Sequence, residues 1–486
     1  MRKMVTLKRF CLQSETWQMP KEEGKMAVHL LSDAQMREFI VNGFVTVTTE
    51  LPAQFHDAVY EKTMSVFDKE GNPGNNLLPR IPEIQSVFDD PNVSGALTSL
   101  LGPDYYMQPH RHPHYNPPGS KGQGLHQDGG KRWSHHTRRL LVFYYPQDTP
   151  VELGPTGVVP MSHYFSTREG SEVSPEQPIV GEAGTVAFAN YDLWHRAMPN
   201  SSEKRRYMMK FLYARMLEPE APTWANKETD WANGTSVGPA EYQEMFRHLW
   251  NWHRGTEFGV ANPSHNGTSN RASLSDLISS LNSTTESTGL QAAYELPRFG
   301  EKAVPALVRC LEEESEMTRR NACYALNAVG TPTVEALRDA LKDPREYVRD
   351  NAAEALGDLG NKAEPVVSAL VETLADESGR VRSRIAEALG TTSQSSSIAV
   401  PGLVKALADK NDGVRRNAVF ALARIGENAT DAVEGLQSVL FDANRYIRGD
   451  AVHALYRIGT PEAKSVLLRH LQTTRWCPIT SSESTF

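Results

Sequence analysis

The chain has 486 residues, too many for one hydrophobic core, so two or three domains are expected. A hydrophobic fraction of 39% with 23% charged residues suits a soluble globular protein, and a formal net charge of −8 argues against a generic nucleic-acid binder. No apolar run reaches the length of a membrane span. Cys11, Cys310, Cys323 and Cys477 are scattered, with no CxxC pair, and read as reduced thiols of an intracellular, cytoplasmic protein.

Residues 1–26 read as an N-terminal extension. Its basic start, "MRKMVTLKRF", leads into Glu15, Glu22 and Glu23 instead of an apolar core, so it is no secretory signal, while a mitochondrial presequence stays open. Without a secretory signal, the sequons at Asn233 and Asn266 read as chance. A first domain is expected over 27–217. It opens with "LSDAQMREFIVNGFVTV", a short helix capped by Ser32, ended at Asn42-Gly43 and followed by a strand. Beyond it "RRLLVFYY", "GVVPMSH", "GTVAFAN" and "RYMMKFLYAR" alternate with Pro/Gly turns, the punctuation of a β-sandwich or jelly roll.

Within this domain "GQGLHQDGGKRW" sets His126 and Asp128 two apart, on one face if the segment is a strand. An HxD alone is a weak signal. The candidate third ligand is His195 in "GTVAFANYDLWHRAMPNSS". Two imidazoles and a carboxylate make a facial triad that leaves one side of an Fe(II) ion open. Eleven residues further (206 − 195), Arg206 offers a guanidinium that can grip a carboxylate in two parallel bonds, while Arg205 would face the other side of the strand. "MQPHRHPHYN" sets His110, His112 and His114 at alternate positions: a second metal site, a substrate wall, or a polar strand lining the barrel mouth. Asn116 lies where a co-substrate contact would arise, though the sequence does not establish one. His135, His136 and His163 read as loop residues.

"GLHQDGG", "GPTGVVPMSH", "GTVAFANYDLWHRAMPNSS" and the arginine beyond closely resemble the phytanoyl-CoA dioxygenase family of Fe(II)/2-oxoglutarate oxygenases. The resemblance implies a double-stranded β-helix (jelly roll) with flanking helices. It further implies His126, Asp128 and His195 as iron ligands and Arg206 on the distal carboxylate of 2-oxoglutarate. It implies, too, O2 as the oxidant and ascorbate as a supporting reductant, with succinate and carbon dioxide leaving as the substrate C–H is hydroxylated. The retained Asp128 favours hydroxylation over halogenation, because related halogenases carry a small residue there. Two positions depart from the family: Met161 stands where glycine is common, and Ala197 where a small hydroxyl residue often follows the distal histidine.

Residues 218–287 read as a capping helix and a Ser/Asn-rich linker. In "AEYQEMFRHLWNWHRG" one helical face carries Tyr242, Met245, Phe246, Leu249 and Trp250; "GVANPSHNGTSNRASLSD" and "NSTTEST" have linker composition. From 288 to 472 the chain repeats. Val348, Val381, Val414 and Ile447 open similar Ala-rich segments at a step of 33, and Asp343, Asp376, Asp409 and Asp442 keep the same step. The units resemble HEAT repeats of the kind seen in phycobilin-lyase proteins, which implies an all-α solenoid; residues 473–486 form a tail.

The expected protein is therefore an Fe(II)/2-oxoglutarate dioxygenase whose HEAT repeats recruit a substrate or protein partner or pack on the oxygenase domain. A non-catalytic scaffold with a vestigial oxygenase domain is the alternative. A di-iron site in the repeats fails on ligand count, since they hold only His453 and His470. The substrate, small-molecule or acyl-type, is not readable; Lys121, Lys131, Arg132, Arg138 and Arg139 would form either a basic groove for phosphates or a solvated rim.

Overall fold

The computed structural model describes residues 28–129, 134–231, 237–256, 272–394 and 396–473. The N-terminal extension, the tail beyond 473, Asn233, Asn266, Cys11, Cys477, Lys131 and Arg132 lie outside them. Among the described residues no helix is long and apolar enough to cross a membrane, and Cys310 and Cys323 are buried free thiols.

Helix α1 (Asp33–Asn42) starts on a capping box: Ser32 and Gln35 exchange side-chain to backbone hydrogen bonds. Gly43, at φ 79°, ends it in the left-handed region. Strand β1 (Phe44–Thr48) follows, then helices α2 (Ala53–Glu70), α3 (Leu77–Arg80), α4 (Gln85–Asp89) and α5 (Pro91–Leu101). The remaining strands are β2 (Tyr105–Asn116), β3 (Arg139–Tyr144), β4 (Thr156–Val158), β5 (Gln177–Pro178), β6 (Thr185–Asn190), β7 (His195–Ala197) and β8 (Arg206–Arg215).

They form a five-stranded sheet, β1-β6-β3-β8-β2, and a three-stranded sheet, β5-β4-β7, with every pairing antiparallel. The strict alternation along β8 divides two cores. Met208 and Leu212 join Leu141, Phe143, Val158 and Ile179 between the sheets. Tyr207, Met209, Phe211 and Tyr213 face the helices, where Phe67 of α2 packs 5.0 Å from Tyr207 and Phe88 of α4 packs 4.5 Å from Phe211. Two sheets closing on a small apolar core is the layering of a β-sandwich, consistent with the expected jelly roll. Helix α6 (Gln243–His253) covers the α1 side with its aromatic stripe buried, and Arg37 of α1 lies 4.9 Å over the Trp250 ring.

The solenoid begins earlier than composition suggests. Helix α7 (Leu274–Ser280) and the start of α8 (Glu286–Glu295) fall in the segment read as linker. The serines there serve a helix start: Ser273 and Asp276 form another capping box. Pairs of helices then alternate, a short one and a long Ala-rich one. The short ones are α9 (Val304–Cys310), α11 (Val334–Ala340), α13 (Val367–Thr373), α15 (Val400–Ala406) and α17 (Val433–Val439). The long ones are α10 (Glu316–Val329), α12 (Glu346–Leu359), α14 (Gly379–Thr392), α16 (Asp412–Ile425) and α18 (Arg445–Ile458), before a final α19 (Pro461–Thr473).

Small residues set the spacing of the long helices. A Cβ at Gly357 or Gly390 would come within 2.9 Å of the Cα of Ala388 or Ala421 on the next one. The repeated aspartates form a ladder between units: Arg349–Asp376 at 2.7 Å, Arg382–Asp409 at 2.7 Å and Arg415–Asp442 at 2.8 Å. Each of these aspartates also accepts the backbone N–H two residues on, closing the turn into the long helix.

The long helices pack on the β-rich domain. Asp358 of α12, buried, accepts hydrogen bonds from Ser134, His136 (2.9 Å), Arg138 and Asn327 (2.6 Å). Arg138 also grips Glu218 through Nε and Nη2, each at 2.8 Å, and these cations hold both carboxyls below their ordinary range against the opposing pull of burial. Glu286 of α8 accepts from the backbone of Ser166 (2.9 Å) and Thr167 (3.0 Å). At the far end His453 of α18 stacks on Tyr106 at 3.7 Å, and Arg457 pairs with Asp104. The histidines read as loop residues are thus interior: His135 bonds Tyr294 (2.7 Å), His136 stacks on Trp252 (4.4 Å), and His163 packs under Gly43. Nor do Arg138 and Arg139 line a phosphate groove. The first is buried in the docking site and the second faces Glu387 of α14 at 3.9 Å.

Asp358→Ala leaves Arg138 and His136 without their shared anion, and a loss of about 3–5 kcal/mol in unfolding free energy is expected from chemical denaturation. Acid is expected to weaken the same interface. Burial holds His135 and His163 down to about 3 and also lowers His248 and His253. Their neutral forms stabilise the fold fully above the unfolded value near 6.5, and that contribution is lost as pH falls toward 3, by about 1.4 kcal/mol per histidine per pH unit. Denaturation midpoints should therefore drop from about pH 7 to about pH 5.5, where most carboxylates are still ionised.

Candidate metal centre

His126 and Asp128 do not lie on a regular strand. His126 makes a single antiparallel bridge to His195, the first residue of β7, and Asp128 follows in a bend. The bridge is a reciprocal pair of backbone bonds, His126 N–H to His195 O at 3.0 Å and His195 N–H to His126 O at 2.9 Å. It brings the ring centroids to 4.6 Å. The local sequence makes this possible: a Cβ at Gly122 would meet Ala197 O at 2.4 Å, and one at Gly129 would meet Asp192 Oδ1 at 1.9 Å. Between the two candidate ligands, Gln127 turns away and donates to Phe165 O (2.9 Å) and Asp192 O (2.6 Å).

The orientation of both imidazoles is set from behind. His126 Nδ1 lies 3.0 Å from Gly124 O and His195 Nδ1 2.9 Å from Leu193 O. A carbonyl only accepts, so each Nδ1 carries the proton and each Nε2 presents a lone pair. Those two nitrogens stand 3.8 and 3.7 Å from the Asp128 carboxylate oxygens, and one ligand atom from each of the three residues fits within 4.8 Å of the others. Burial, reinforced by Lys210, pushes His195 down to about 4, which keeps it neutral as a metal ligand must be.

Lys210 is the residue that sequence reading passed over. It lies on β8, buried, with its ammonium on Asp128. Burial alone would raise the Asp128 carboxyl, but Lys210 and His195 outweigh it and hold it below its ordinary value. The available signal was a lysine in the middle of "RYMMKFLYAR", in phase with Arg206 (206, 208, 210) and flanked by apolar residues. Across the β2–β8 register His112 stands opposite Lys210, His114 opposite Met208 and Asn116 opposite Arg206. The three alternate histidines thus form a row beside the centre, with ring spacings of 4.8 and 4.7 Å. Burial, with Lys210 adding to it, lowers His112 to about 4 and His114 to about 2.

Arg206 is 1% exposed. Its Nε donates to Gly154 O at 2.9 Å, while its Nη2 is buried without a hydrogen-bond partner. Arg205 points outward and pairs with Asp68 at 2.6 Å. Asn116 spends its amide on Gly154 O (3.0 Å) and Met198 O (2.9 Å) and so buttresses the loop against which Arg206 sits. Met161, where glycine was expected, is the only non-glycine residue with positive φ (68°) among those described, so the position does require left-handed backbone, at roughly 1–2 kcal/mol for a side-chain-bearing residue.

A family model described as phytanoyl-CoA dioxygenase (PhyH) matches residues 48–208, and one described as HEAT repeats matches 274–357, 334–400 and 400–479. Among solved structures, the chain is similar to the non-heme alpha ketoglutarate dependent carbocyclase SnoK from nogalamycin biosynthesis (21% identity, 38% of this chain, 85% of that one, TM-score 0.33). It is also similar to an engineered protein (23%, 40%, 98%, TM-score 0.30) and to AviO1 from Streptomyces viridochromogenes Tue57 (15%, 39%, 96%, TM-score 0.32). Comparison with curated proteins gives no match.

Lys210 competes for the carboxylate a cation would use. Lys210→Met is expected to bind Mn(II) about tenfold more tightly, since a like charge a few Å from the ion is removed. The metal-free variant should be less stable, with Asp128 left unpaired. Titration followed by the Mn(II) EPR signal measures the first effect and thermal denaturation the second.

Proposed function

From a chain that carries a phytanoyl-CoA dioxygenase family domain ahead of a HEAT-repeat solenoid, we infer an Fe(II)- and 2-oxoglutarate-dependent dioxygenase, an oxidoreductase that hydroxylates an organic substrate. One observation carries this reading: two outward-facing Nε2 lone pairs and a carboxylate converge at a single point, in the same domain as a buried guanidinium with an unmatched N–H. A closed structural metal site would add a fourth protein ligand, and among the described residues the group has three.

The donor set suits iron, two imidazole nitrogens and one hard oxygen on one face. When bound, ferrous iron with 2-oxoglutarate and O2 supplies the oxidant that turns a C–H bond into an alcohol, with succinate and carbon dioxide as co-products. The protein's own part is positioning. Gly124 O and Leu193 O fix the two ring tautomers. Asp128 contributes the anionic ligand, and Lys210 orients it by holding one of its oxygens. Arg206 takes the distal carboxylate of 2-oxoglutarate, which supplies the acceptor its buried Nη2 lacks. No side chain acts as a general acid or base.

The competing reading, a scaffold with a vestigial oxygenase domain, predicts no turnover. With iron and ascorbate, the full chain is expected to convert 2-oxoglutarate to succinate, and His126→Ala or His195→Ala to reduce this to background. Arg206→Gln should raise the KM for 2-oxoglutarate about a hundredfold, the scale of a lost buried charge pair. Succinate formation that survives in His195→Ala would remove the site from consideration.

A further inference from the structure

We propose that the solenoid completes the oxygenase site, with Tyr446, Arg445 and Arg416 forming the outer wall of its mouth and holding an anionic group, carboxylate or phosphate, of the substrate. The inference rests on the dioxygenase reading and adds a substrate class and the residues that select it.

The wall is continuous with the centre. Lys210 sits on Asp128, His112 stands opposite Lys210 across the sheet, and His110 packs 4.8 Å from His112. From His110 the path crosses into the solenoid: its Nδ1 lies 3.3 Å from the Tyr446 hydroxyl at the start of α18. The Tyr446 ring is held between two guanidiniums, Arg416 at 4.8 Å and Arg445 at 5.0 Å from its centroid, and Arg445 also donates to the hydroxyl at 3.2 Å. The last repeats pack tightly at this position: Gly449 of α18 meets Pro109 so closely that a Cβ would stand 2.7 Å from its Cγ.

Charge gives the ligand class. The groups acting on His110 are Lys210, Arg416 and Arg445 on one side and Asp128 on the other. A divalent ion on Asp128 would share that single anion with Lys210. Arg445 is exposed and forms no ion pair among the described residues, while Arg416 pairs with the buried Asp450 at 3.6 Å. A row of imidazoles thus leads from the metal position to two cations, of which Arg445 has no carboxylate partner among the described residues. The His126 side chain is 42% exposed, so the metal position is open to solvent. A substrate anchored on the arginines by a negative end would lay its body along the histidine row, with the far carbon at the metal.

The test uses the full chain with Mn(II) in place of Fe(II) and saturating 2-oxoglutarate, which occupies Arg206. Inorganic phosphate is followed by 31P relaxation and hexanoate by the 13C relaxation of its carboxylate. Saturable enhancement of either probe is expected, phosphate indicating a phosphorylated substrate and hexanoate a carboxylate. Affinity should fall about tenfold in Arg416→Gln/Arg445→Gln, with the Mn(II) stoichiometry from EPR unchanged. Arg445→Gln alone, at an exposed position, gives the same direction without touching the contact between Arg416 and Asp450. Enhancement that is absent for both probes, or unaltered in the variants, overturns the inference while leaving the dioxygenase reading intact. Failure to bind Mn(II) overturns both.

Discussion

Two backbone hydrogen bonds, exchanged between His126 and His195, are the constraint on which the centre depends. They join a glycine-rich loop to the first residue of β7 and so fix the separation of two imidazoles far apart in sequence. Everything else in the centre refines that placement. The carbonyls of Gly124 and Leu193 select the tautomers, Gln127 pins the loop from its other side, and Lys210 holds the carboxylate in between. An apolar wall, with Phe143 5.8 Å from the His195 ring, keeps water from competing on the buried side.

The solenoid is engaged where a binding protein would offer a free surface. Asp358, Glu286, Tyr324, His453 and Arg457, from four different helices, all reach the β-rich domain. Burying Asp358 and Arg138 carries a large desolvation cost, offset only because each has several well-placed partners. Such a cluster tolerates little rearrangement, so the interface favours one relative placement of the two domains.

Periodic features were legible in the chain and singular ones were not. The 33-residue step of Asp343, Asp376, Asp409 and Asp442 showed the repeats before any reason for the aspartate was known, and the structure supplies it as a bridge between units plus a turn closure. The capped helix ending at Gly43 and the four strand-like runs correspond to α1, β1, β3, β4, β6 and β8. The four helices between 53 and 101 show no clean apolar stripe, because α2 buries polar His56 and Thr63 beside Val59 and α5 is buried on most of its faces. Serines at 273 and 283 suggested a linker, since the same residue types cap helices and fill loops. His135 and His136 read as loop residues and Arg138 as a groove or rim residue because their partners, Tyr294 and Asp358, lie more than 150 positions away. No local pattern encodes such a pairing.

The Arg–Asp ladder has a consequence for how this chain can vary. In a free-standing array, whole units are gained or lost with little penalty, because each touches only its neighbours. Here the array is also fastened at both ends, Glu286 near its start and Arg457 near its finish, to fixed points on a second body. Deleting or duplicating one 33-residue unit would leave every rung of the ladder intact yet carry one of these fastenings out of reach. The copy number is thus set by the object being clasped, and lineages carrying this pairing of domains should keep it constant even where the repeat sequences diverge.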